Sequence, residues 1–70
     1  MADQKDLILE VLQHNGGWMT LKQIMDKARI ASGPFVTQAL ENFVSYEVVE
    51  TGQGAVGEGR SWKAIMERTQ

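Results

Sequence analysis

The chain contains no cysteine in its 70 residues. A disulfide framework, a thiolate metal site and a cysteine nucleophile are therefore excluded. Histidine occurs once, at His14, and one imidazole builds no metal site without help from carboxylates. No apolar run approaches the ~20 residues that a bilayer-crossing helix needs. The first residues, M-A-D-Q-K-D, are acidic and polar and do not read as a signal peptide. These absences lead to the expectation of a cytoplasmic protein with no membrane partner. A basic excess is missing too: seven Lys and Arg face nine Asp and Glu, a net charge of −2. Nucleic-acid binders more often carry the opposite balance, but the distribution of charge matters more than its sum. Asp3, Asp6 and Glu10 outweigh Lys5 at the start of the chain, whereas Lys22, Lys27 and Arg29 outweigh Asp26 and Glu41 between residues 14 and 46. No dense basic patch exists anywhere.

What is present fits one small domain spanning residues 1–70, with an ordered core from about 3 to 66. The apolar share, 43%, is ordinary for a globular chain. At this length the core is small and the margin of stability thin.

Proline also occurs once, and its place is informative. Pro34 suits the first turn of a helix, where its missing N–H costs nothing, and Ser32 or Gly33 is placed to cap that end. Val36, Leu40, Phe43 and Val44 then share one apolar face. The helix ends near Tyr46 and feeds a strand, Val48-Val49-Glu50-Thr51. A loop with four glycines, residues 52–59, leads to a second strand from Arg60 to Ile65, with Trp62 and Ala64 on one face. Val48, Val49, Trp62 and Ile65 would supply the apolar side of this hairpin, which must pack on the helices because an isolated hairpin is marginal in water.

Upstream, Asp3 to about His14 reads as a first helix, with Asp3 as N-cap and Asp6 favourable at the positive helix end. Leu7, Ile8, Val11 and Leu12 form its core stripe, and Asn15-Gly16-Gly17 ends it. Trp18-Met19 is a short extended link that can add a third strand. Thr20 opens a second helix with a capping box, T-L-K-Q, closed by Gln23. Leu21, Ile24, Met25 and Ala28 make its apolar stripe, and it ends near Arg29. A short turn at Ile30-Ala31 joins it to the third helix, which makes the pair a helix-turn-helix candidate.

The pattern S32-x-x-x-V36-x-x-x-L40-x-x-F43-V44-x-x-x-V48-V49-E50, a Gly-rich loop, then G59-R60-x-W62, resembles the recognition-helix-and-wing half of the winged helix-turn-helix superfamily. T20-L21-x-x-I24 is similar to the start of the second helix in that superfamily. The resemblance covers roughly residues 5–66. It implies an α+β winged helix: a three-helix helix-turn-helix core with a two- or three-stranded antiparallel wing. It also implies either duplex DNA binding by a small transcriptional regulator of a prokaryote, plasmid or phage, or a protein-interaction role, because the superfamily includes both. The chain departs from many members in one respect. Glu47 stands where they have glycine, and it brings a negative charge near the expected DNA side.

On a helical wheel at about 100° per residue, Gln38 and Asn42 point away from the core of the third helix, flanked by Glu41 and Ser45. Their amides match the N6 and N7 of adenine. Ser32, Thr37, Gln38 and Asn42 are the expected DNA contacts on this helix, with Lys22 on a phosphate at the start of the second. Gln53, Arg60 and Lys63 are expected to serve the wing, Arg60 above all at a phosphate or the minor groove. The alternative is a solvated face and an ordinary hairpin loop.

A second surface competes. Phe35, Ala39, Asn42 and Tyr46 line one flank of the third helix, and Phe35, Ala39 and Tyr46 would form the contact of a protein partner or of a second copy. Catalysis is not expected. His14 adjoins a turn and has no nucleophile or acid set with it. The G-Q-G-A-V-G run lacks the strand-then-helix context of a dinucleotide fingerprint. No cofactor and no metal are expected.

Overall fold

The computed structural model describes residues 4–53 and 59–65. The expected cap Asp3, the middle of the glycine-rich loop with Glu58, and the last five residues lie outside them. The order of elements is α1 (Gln4–Asn15), β1 (Met19–Thr20), α2 (Leu21–Ala28), α3 (Gly33–Ser45), β2 (Val49–Gln53) and β3 (Arg60–Ala64). The fold is α+β, with three helices and a three-stranded antiparallel sheet in the order β1-β3-β2.

Local chemistry sets the helix starts. Thr20 Oγ1 accepts from the Gln23 N–H at 3.2 Å, and Gln23 Oε1 accepts from the Thr20 N–H at 3.1 Å. Both halves of the capping box are thus made. Ser32, rather than Gly33, caps α3: its Oγ accepts from the Phe35 N–H at 3.3 Å, and Pro34 follows in the first turn.

Each helix is left through a residue in the left-handed region: Gly16 at φ 74, Arg29 at φ 59 and Glu47 at φ 66. After α3 the Glu47 N–H donates to Val44 O and the Val48 N–H to Phe43 O, both at 3.0 Å. That pair of bonds is the Schellman pattern, with Glu47 at the position where glycine is usual.

This exit explains why β2 starts one residue later than the sequence suggests. The Val48 N–H is used to close α3, while its carbonyl accepts from the Ile65 N–H at 2.9 Å. β2 therefore runs Val49–Gln53 rather than from Val48, and β3 stops at Ala64. The register pairs Val49 with Ala64, Thr51 with Trp62, and Gln53 with Arg60. On the other side of β3, Met19 pairs with Trp62 and Thr20 with Ser61.

Side chains alternate across a strand, so Met19, Val49, Thr51, Trp62 and Ala64 share the sheet face turned toward the helices. Met19, Val49, Trp62 and Ala64 are buried there with Ile8 and Leu12 of α1, Ile24 of α2, Ile30, and Val36, Ala39 and Leu40 of α3. The expected apolar set of the hairpin is corrected accordingly. Val48 and Ile65 fall on the opposite face and are exposed, and Ala64 takes the core position. Leu7 is likewise exposed, whereas Leu9 packs against the core.

The outer sheet face has its own small cluster. Trp18, just ahead of β1, reaches across the sheet until its Cη2 lies 3.5 Å from where a Cβ on Gly52 would stand. Because β3 lies between β1 and β2, the indole spans it at Ser61, which is fully buried. Lys63 Nζ sits 5.6 Å from the centroid of the Trp18 ring, within cation–π range.

Candidate functional site

Arg60 and Trp62 alternate with Ser61 and Lys63 along β3, so Arg60 shares the helix-facing side of the hairpin. There it meets α3. Thr37, Glu41 and Val44 form one wall of a groove, and Thr51, Arg60 and Trp62 form the other. Trp62 is buried and provides the apolar base, while Arg60 and Glu41 are exposed at the rim. Thr51 donates its hydroxyl proton to Ser61 O at 3.0 Å, which leaves its oxygen as an acceptor toward the groove. The groove thus offers a guanidinium, a carboxylate and two hydroxyls around an apolar floor.

The structure gathers some of the expected DNA contacts and separates others. Thr37 and Arg60 stand in the same groove. Gln38 is exposed on α3, and Asn42 is half-buried. Gln53 is exposed at the end of β2, directly across from Arg60. Ser32 is exposed, but its oxygen is already engaged in capping α3. Lys22 is exposed on the first turn of α2. Lys63 stands opposite Glu50 in the strand register on the outer sheet face and lies over Trp18. It does not belong to the groove.

The expected partner stripe does not survive as one surface. Ala39 is 1% exposed and sits in the core, and Phe35 is half-buried against it. The cause is that α3 packs on α1, α2 and β2 at once, so its buried arc is wider than the Val36–Leu40–Val44 stripe. Tyr46 alone remains open, at 75% exposure, beyond the end of α3. Glu41, Thr51 and Trp62 were not among the expected site residues. The strand register sets Thr51 and Trp62 on the same face as Arg60, and the i+4 spacing from Thr37 on α3 brings in Glu41.

A second hollow lies between α1 and α2, where Glu10, His14 and Lys27 are among the lining residues. His14 is exposed there. Among the described residues, no three His, Asp or Glu side chains come together as a metal site, and no described helix is long and apolar enough to cross a membrane.

No family model matches the chain, and neither does any curated protein or solved structure.

Proposed function

We propose that the chain is a winged-helix domain that binds duplex DNA as a small transcriptional regulator, with α3 in the major groove and the β2–β3 hairpin as a wing on the backbone. The observation that carries this reading is the groove in which Arg60 faces Thr37 and Glu41, beside the open amide of Gln38. The helix–strand–helix–helix–strand–strand order and the β1-β3-β2 sheet support it, as does the left-handed turn at Glu47 where winged helices often carry glycine. In this arrangement Gln38 and Asn42 read base edges. Thr37, Arg60 and Lys22 hold phosphates, and Gln53 lies beside Arg60 at the wing. Lys63, tied to Trp18, supports the wing from behind.

A second reading is favoured by one observation. Tyr46, Val48 and Ile65 are exposed apolar residues, and Val48 and Ile65 are hydrogen-bonded neighbours. Such a patch suits a protein partner or a second copy, with Tyr46 the residue retained from the α3 flank.

Titration of the isotope-labelled chain with random-sequence duplex DNA at low salt separates the two. The expected result is amide shifts concentrated on residues 37–42, Gln53 and Arg60. Silence there at millimolar duplex would refute DNA binding. Tyr46→Ala should leave the DNA-induced shifts unchanged and abolish any self-association.

A further inference from the structure

α3 carries no lysine or arginine anywhere along Gly33–Ser45, and its single charge is Glu41. That carboxylate is exposed, and it stands in the wall of the groove across from Arg60. If the groove faced phosphate alone, Glu41 would only repel. A carboxylate accepts hydrogen bonds and donates none, which sorts the base edges of the major groove. Guanine offers N7 and O6 and thymine O4, all acceptors, so neither satisfies it. Adenine offers the N6 amine beside the N7 acceptor, a pair suited to an amide such as Gln38 and unsuited to a charge without a donor. Cytosine offers the N4 amine as its major-groove polar group.

We infer that Glu41 is the specificity-determining residue of this face and selects a cytosine, hence a G·C pair, next to the base read by Gln38. The inference rests on the duplex-DNA reading above. Arg60 makes it work: its guanidinium on the adjacent phosphate fixes the register, so that the carboxylate meets a base edge instead of the backbone. In the wrong register, or on the wrong base, Glu41 is left unpaired against acceptors. It therefore discriminates by penalty as well as by attraction.

The test is selection of randomised duplexes on the 70-residue chain at low salt, followed by sequencing, for the natural chain, Glu41→Gln and Glu41→Ala. Glu41 is solvent-exposed, so both variants should keep their circular dichroism spectra, and Gln serves as the closest isostere. The natural chain should enrich cytosine at one position, where replacing it lowers affinity about ten-fold. Glu41→Ala should lose that preference, and Glu41→Gln should shift it toward adenine. Enriched duplexes without a cytosine position, or a preference that persists in Glu41→Ala, would overturn the role of Glu41 while leaving DNA binding intact. Failure of the natural chain to retain any duplex would overturn both.

Discussion

Glu47 holds a backbone conformation that glycine adopts freely and an L-residue does not. At φ 66 the Cβ crowds the following carbonyl, at a cost of about 1–2 kcal/mol. The position is over-determined: the two Schellman bonds from Glu47 and Val48 close α3, and the next residue must enter β2 in register. Glycine would relieve the crowding, though part of the gain is returned through its freer unfolded chain. Glu47→Gly should therefore raise stability by about 0.5–1 kcal/mol, read as a higher urea midpoint at unchanged slope. Glu47→Ala keeps the crowding and should not show the gain. Equal midpoints for the Gly and Ala variants would show that the turn is unstrained. Arg29, at φ 59 after α2, carries the same kind of crowding at the turn between α2 and α3.

The helices were legible in the sequence because their signals are local. The Thr20–Gln23 box, the Ser32 cap and the Pro34 turn each involve neighbours within four residues, and each is made in the structure. Thr20→Ala removes the acceptor for the Gln23 N–H and should cost about 1 kcal/mol, a fall in melting temperature of about 4–8 °C for a chain of this size. Thr20→Ser keeps the oxygen and should restore most of it; failure of Ser to rescue would place the effect in β1 pairing with Ser61 instead. The sheet was less legible. Alternation puts Lys63 on the face opposite Trp62 and Ala64, but that Trp18 meets it there depends on β1 pairing with β3 from far along the chain. Ala39 was misplaced for a related reason, since a helix wheel shows one stripe while α3 meets three neighbours. The groove inherits these limits only in part: Thr37 and Arg60 could be picked from residue type, Glu41 lies i+4 from Thr37 and Trp62 i+2 from Arg60, but Thr51 joins them only through the β2–β3 register.

Across the whole molecule, positive charge is scarce where the proposed duplex would lie. α3 has none, and Lys63 is turned to the outer sheet face over Trp18. Arg60 and Lys22 remain as the phosphate contacts of the proposed complex. Each neutralised phosphate contributes about −0.9 to the slope of log K against log salt on B-DNA. Two contacts imply a slope near −2, shallow beside that of a strongly basic binder. Affinity for any one copy should accordingly be modest, and discrimination should come from base edges more than from charge. Arg60→Ala should weaken binding at low salt and flatten the slope by about 1. Lys63→Ala should leave the slope unchanged and instead alter Trp18 fluorescence, because its ammonium lies over that ring. Fluorescence anisotropy of a labelled duplex across a salt series measures both. A flat slope for the natural chain would remove phosphate contact from the proposal, and a drop on Lys63→Ala equal to that on Arg60→Ala would mean that the outer sheet face, rather than the α3 groove, meets the duplex.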